Sequence, residues 1–162
     1  MNISNGNLTI RNATTTDAAL LCAWWNDGAI MAHAGHPSGL GTTPEKISAD
    51  ITADTDETRR RHIIELDGKP IGEMIYFNKG AAVAEIGIKI CDPSKLEKGL
   101  GTKLLAMFIY ELFAMGYRKI VLDTSPENKR AQHVYEKLGF KQSHQTPSAI
   151  FYELTPTFQS IK

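Results

Sequence analysis

Ala84-Glu85-Ile86-Gly87-Ile88-Lys89-Ile90-Cys91 alternates apolar residues with polar or small ones, and Lys98-Gly99-Leu100-Gly101-Thr102-Lys103 follows a short way on. Alternation with period two is the mark of a strand that turns one face to the core. The glycine pair then opens a run in which Leu100, Leu104, Leu105, Phe108, Ile109, Leu112 and Phe113 recur at helical spacing, and Gly116 is placed to end it. A strand that runs through a glycine turn into a long amphipathic helix suits an anion. The first turn of a helix leaves N–H groups unpaired, its dipole favours negative charge, and glycine lets a phosphate come close to the backbone. Gly-x-Gly alone also serves simply to make a turn, so the motif needs company.

Outward from that stretch the chain reads as a mixed α/β layer structure. Arg61–Leu66 is a strand, Asp67-Gly68 a hairpin turn and Ile71–Phe77 the return strand. Asn78-Lys79-Gly80 turns again into the strand from Ala84, which completes an antiparallel meander. Upstream, Leu8–Arg11 is a short strand. Thr14–Asp17 supplies capping side chains for a helix over Ala18–Trp25 that stops near Asn26-Asp27-Gly28. Residues 32 to 43, with their glycines, a proline, His33 and His36, have the chemistry of a loop, and Thr43-Pro44-Glu45 begins a second helix. Downstream come a buried strand at Ile120-Val121-Leu122, a helix from Asn128 to Leu138 closed by Gly139, and final strands at Phe140 and Ala149–Leu154.

The 162 residues and 42% apolar content fit a single domain over 1–162, with its core at about 8–154. Lys+Arg and Asp+Glu are 18 each, so no net field draws the chain to nucleic acid or anionic lipid, and a small-molecule or peptide partner is expected. No apolar stretch approaches the roughly 20 residues that span a bilayer, and no secretory leader is visible at the start. A cytoplasmic location is therefore expected. Cys22 and Cys91 have no Cys-x-x-Cys spacing and read as reduced packing residues. His33 and His36 have no third clustered ligand, so no metal is expected. Arg59-Arg60-Arg61 reads as a solvated strand entrance, and Trp24 as a core residue.

Asn128-Lys129-Arg130-Ala131-Gln132-His133-Val134-Tyr135-Glu136-Lys137-Leu138-Gly139-Phe140 resembles the second cofactor motif of the GNAT N-acetyltransferases, with Asn128, Ala131, Tyr135, Gly139 and Phe140 at the family's positions. Gly99-x-Gly101 matches that family's pyrophosphate turn at the correct distance upstream, and the element order from Leu8 to Leu154 agrees. A finer, shorter similarity at Trp25-Asn26-Asp27 and Ala84–Gly87 points to the branch containing aminoglycoside 6′-N-acetyltransferases and ribosomal-protein N-acetyltransferases. One departure is visible: Leu96 stands where the family carries Arg or Gln, and Glu97 adds a negative charge nearby.

The resemblance implies a mostly antiparallel sheet of six or seven strands flanked by about four helices, with the strand at 84–91 bulged and splayed from the next. Acetyl-CoA is the implied cofactor. Backbone around Ile88 and Ile90 would face the pantetheine arm, and the amides of Lys98, Gly99, Leu100, Gly101, Thr102 and Lys103 would hold the pyrophosphate. Asn128 and Ala131 would contact the arm or fix the neighbouring backbone. Tyr135 would sit beside the sulfur as proton donor to the departing thiolate. An alkylammonium must lose its proton before attack. Glu85 is the candidate that accepts it through water or holds the ammonium, the bland reading being a solvated strand carboxylate. Trp25 and Asp27 would border the acceptor, a small-molecule or peptide amine. Transfer would be direct, without a cysteine acyl intermediate. The fold accommodates homodimers. A non-catalytic acyl-CoA-binding or partner-binding module is the alternative that the Leu96 departure keeps open.

Overall fold

The computed structural model describes residues 1–96 and 99–156. Eight strands form one sheet in the order β1-β2-β3-β4-β5-β6-β8-β7. They are β1 Asn2–Asn5, β2 Leu8–Asn12, β3 Arg59–Leu66, β4 Lys69–Gly80, β5 Val83–Ile90, β6 Lys119–Thr124, β7 Lys141–Gln145 and β8 Ile150–Leu154. The helices are α1 Ala18–Trp25, α2 Gly28–Met31, α3 Pro44–Ala53, α4 Leu100–Ala114 and α5 Lys129–Lys137. Every neighbouring pair is antiparallel except β5–β6. The expected mixed α/β architecture is therefore present, with one more strand and one more helix than anticipated.

Alternation along the strands sorts the side chains into two cores. Ile10, Ile64, Met74, Tyr76, Ala84, Ile86, Ile120 and Leu122 face α4 and α5. On the opposite face Ile63 packs with Leu21, Trp25, Ile47 and Ile51 of α1 and α3. Each fully buried aliphatic side chain contributes about 1.5–3 kcal/mol, so both layers are held by the same hydrophobic drive.

Local chemistry explains most boundaries. Thr14 and Asp17 form a capping box ahead of α1, Thr43 caps α3 with Pro44 at its first turn, and Asn128 caps α5 through Ala131 N at 3.1 Å. Gly116 and Gly139 take positive φ just beyond α4 and α5, as a left-handed terminus requires.

One expectation needs correction, and two further details emerge. Asn78-Lys79-Gly80 does not turn; β4 runs through it and the reversal falls on Ala81 and Ala82, both at positive φ (54° and 61°), without the usual Gly or Asn. Ahead of the expected loop the Asp27 carboxylate accepts from Ala29 N and Ile30 N and starts α2, a short helix that was not anticipated. The expected bulge falls at the far end of β5, where Cys91 N and Asp92 N both donate to Ile71 O, at 2.7 and 3.1 Å, and the β4–β5 register runs unbroken from Gly72 to Asn78. Among the described residues no helix is long and apolar enough to cross a membrane.

Candidate active site

The parallel pairing of β5 with β6 lasts only three residues, Val83–Glu85 against Lys119–Val121. Beyond it Ile86–Ile90 pairs with β4 alone, and Leu122–Thr124 pairs with β8 alone. The sheet opens there into a gap with one unpaired backbone edge on each side. Because Cys91 N points to β4, the alternation of an antiparallel ladder turns the peptide groups of Ile90, Ile88 and Ile86 into that gap. Buried or half-buried peptide groups need partners. An extended chain with amides of its own, laid along β5, supplies them as an added strand would.

Downstream of β5 the chain enters α4, whose first residue Leu100 packs on the same core as Ile88 and Ile90. Gly99 adopts φ 73° as its N-cap, and a Cβ at Gly101 would meet nothing within 4 Å. The fifteen residues of α4 align their peptide dipoles toward this end, where the N–H groups of Leu100, Gly101 and Thr102 have no partner within the helix. Lys98 and Glu97 lie outside the described residues. Lys103 is exposed, and its N–H donates to Gly99 O at 3.4 Å.

Tyr135 packs between Phe140 and Tyr152, is 9% exposed, and makes no hydrogen bond through its hydroxyl among the described residues. Burial, followed by the charge of Asp123, pushes its pKa up to about 12, so the phenol keeps its proton at neutral pH. Asn128 bonds Ala131 N, and Gln132 clamps Ser125 O and Pro126 O, which fixes the approach to α5.

Glu85 lies on the α1–α3 face with Lys79 Nζ 3.3 Å away. Asp123, two residues beyond Glu85's partner Val121 on β6, shares that face. Its pKa is raised, first by burial and then by the Glu85 charge. Two carboxylates thus flank the point where the strands part. Asp123 escaped the sequence reading because only the β5–β6 register brings it to Glu85; the alternation Val121, Asp123 against Ile120, Leu122 was the available sign of its face.

On the same face, farther along β5, a cavity of about 270 Å³ is lined by Trp25, Met31, Leu40, Arg61, Glu73 and Lys89 among others. Glu73 and Lys89 are cross-strand partners. The Trp25 indole N–H is shared between both Glu73 oxygens at 2.9 Å, and Lys89 Nζ lies 3.6 Å from one of them. Burial pushes the Glu73 pKa up, against the opposing pull of Lys89. The Arg61 guanidinium lies 5.1 Å over the Trp25 ring and its side chain is only 12% exposed, so the arginine run is not simply a solvated strand entrance. Trp25 is the buried tryptophan of the pair, and Trp24 only borders the core. Asp27 is exposed and caps α2. A larger hollow of about 470 Å³, at the Ala81–Ala82 end of the hairpin, involves neither the gap nor the glycine turn. Among the described residues no three His, Cys, Asp or Glu side chains cluster as metal ligands.

A family model matches most of the chain: residues 7–141 fit the acetyltransferase (GNAT) domain. The chain belongs to the GNAT acetyltransferase family. As a member it is an acetyl-CoA-dependent acyltransferase. It is 32% identical over 155 residues to an aminoglycoside N(6′)-acetyltransferase type 1 of Klebsiella pneumoniae, covering 86% of this chain and 76% of that protein. It is 34% identical over 88 residues to the spermidine N(1)-acetyltransferase of Escherichia coli K12, covering 52% of this chain and 47% of that protein. The structure of AAC(6′)-Ib in complex with ribostamycin and coenzyme A superposes with a TM-score of 0.77 at 29% identity, over 95% of each chain. A Vibrio cholerae spermidine N-acetyltransferase shares the fold at 22% identity, with a TM-score of 0.81.

Proposed function

We propose that this acetyltransferase moves the acetyl group of acetyl-CoA directly onto the primary amine of a small molecule, with the β5–β6 gap as the thioester channel. The observation that carries this reading is the pairing of β5 with β6 for three residues only, on a strand that leads into the glycine-opened α4. Related acetyltransferases of aminoglycosides and of spermidine support an amine as acceptor.

In this reading the pantetheine arm lies along Ile86–Ile90, with Ile88 and Ile90 giving its amides their partners. The amides of Gly99, Leu100, Gly101, Thr102 and Lys103 receive the pyrophosphate, and Lys98 is assigned there by its sequence position. Asn128 and Ala131 hold the start of α5 against the arm. The amine nitrogen attacks the thioester carbon from the α1–α3 face. A β5 amide meets the developing oxyanion, and the carbon–sulfur bond breaks to leave a thiolate. Glu85 and Asp123 attract the incoming ammonium and take its first proton, directly or through water; the second N–H proton, lost after attack, passes through water to the thiolate and gives free CoA thiol. Trp25 walls the acceptor side, and Asp27 acts there by capping α2. Cys91 is no nucleophile, since burial followed by Glu73 pushes its thiol up to about 12.

Tyr135 acts as a hydrogen-bond donor more than as an acid. Its pKa of about 12 stands roughly 3.5 units above an alkyl thiol at about 8.5, so complete proton transfer runs uphill by about 5 kcal/mol. A neutral phenol aimed at the sulfur still stabilises charge as it develops. Thiol release from acetyl-CoA across a panel of primary amines tests the proposal. Turnover with at least one small amine is expected, and CoA binding without turnover on any of them would overturn it.

A further inference from the structure

The cavity between α1, α2 and the sheet holds two cations with most of their donors unspent. Lys89 Nζ has three N–H bonds, yet its neighbours among the described residues are a carboxylate oxygen at 3.6 Å and the Met31 thioether at 3.0 Å, a weak acceptor. Arg61 Nη1 is buried with no hydrogen-bond partner among the described residues, its guanidinium resting on the Trp25 ring, and Nη2 comes no nearer to Asp50 than 3.9 Å. Glu73, the one carboxylate lining the cavity among the described residues, already receives the Trp25 indole on both oxygens. A lone ammonium has no unspent carboxylate to meet here and faces two positive charges. An anion finds two partly desolvated donors, which is where charge-assisted hydrogen bonds are strongest.

Glu85 and Lys89 are four residues apart on one strand and share a face, roughly 13 Å along β5. The acceptor side is therefore bipolar, with carboxylates Glu85 and Asp123 where the strands part and cations Lys89 and Arg61 toward the other end. We infer that the acceptor carries a carboxylate seated on Lys89 and Arg61 while its amine lies by Glu85 and Asp123. The substrate is then an amino acid or a short peptide of two or three residues, not a pure polycation. This rests on the acetyl-transfer reading above and narrows its acceptor class.

Matched acceptors decide it: lysine against cadaverine, and trialanine against trialaninamide, by thiol release from acetyl-CoA. The acid of each pair is expected to have roughly tenfold or higher kcat/KM. Lys89→Met and Arg61→Met are expected to bring that ratio toward one, and Lys89→Arg to retain it. Equal or better turnover of the uncharged-end partner by the unaltered protein would overturn the inference while leaving acetyl transfer intact. A second readout needs no turnover. The Trp25 indole N–H resonance, identified by its loss in Trp25→Phe, is followed on adding glutarate at constant ionic strength. A saturable shift that Lys89→Met abolishes supports the anion seat. No shift, or one unchanged in Lys89→Met, refutes it even if every amine fails as acceptor.

Discussion

Replacing Tyr135 by Phe removes one oxygen from a residue that is 9% exposed, and its hydroxyl has no protein partner to be left behind. The fold should therefore lose little; a buried hydroxyl with no hydrogen bond is a cost, and its removal is close to neutral. If the phenol donates to the sulfur as the carbon–sulfur bond breaks, the variant loses a hydrogen bond to a charged atom, worth about 1.5–3 kcal/mol. That corresponds to a fall in kcat of roughly 10- to 150-fold. The thioester sulfur of bound acetyl-CoA accepts a far weaker hydrogen bond than the thiolate developing in the transition state, so the dissociation constant for acetyl-CoA should move only a few-fold. Single-turnover acetyl transfer gives the first number, calorimetry the second, and thermal unfolding confirms an intact fold. Because the folded pKa is about 12, the wild-type enzyme should show no phenol-dependent loss of rate between pH 7 and 10. An unchanged kcat in Tyr135→Phe, or an equal loss in rate and binding, would refute the donor role.

Three further outcomes follow from other parts of the molecule. Glu85 raises the Asp123 pKa, so Glu85→Gln should shift the acid limb of the kcat/KM profile to lower pH; an unmoved profile argues that neither carboxylate takes the proton. His62 is fully buried against Phe108 and Tyr76, and burial depresses its pKa to about 3. Between that value and the unfolded ~6.5 the unfolded state binds the extra proton, so stability falls as pH drops and is lower by about 2 kcal/mol at pH 5 than at pH 7; denaturant unfolding should show this, and His62→Leu should remove it. Gly72→Ala would drive a Cβ to 2.3 Å from Lys89 O, displacing β5 backbone next to the gap. A loss of about 1–3 kcal/mol in unfolding free energy is expected, together with weaker CoA binding, and an undisturbed protein would mean that β5 has room to shift.

The fold and half of the site were legible because they rest on local signals. Period two at 84–90, helical spacing from Leu100, and the glycines at 99, 116 and 139 each act within a few residues, so the chain displays them directly. Tyr135 and Asn128 belonged to a motif that could be read as a unit. The polar edge strand β1 and the short helix α2 were missed because neither has an apolar period. The Ala81–Ala82 reversal was missed because alanine is an unusual residue for positive φ, paid for by the hairpin on either side. The partners that define the acceptor side depend on register. Glu73 meets Lys89 across β4–β5, Asp123 lies two residues beyond Glu85's partner Val121 on β6 and feels its charge, and Arg61 meets Trp25 across layers, none of which a linear pattern announces. Arg61 in particular looked like one of three solvated arginines until α1 was laid over it.

Gly101→Ala tests the central claim most directly, since the added methyl has open space around it in the free protein and a helix gains up to about 1 kcal/mol from alanine in place of glycine. Titration calorimetry with CoA, beside thermal unfolding, should show a variant at least as stable as the parent but binding CoA tenfold or more weakly, if the pyrophosphate meets the helix at that residue as proposed. CoA binding by Gly101→Ala as tight as that of the unaltered chain, or no CoA binding by the unaltered chain at millimolar ligand, would contradict a diphosphate at the start of α4.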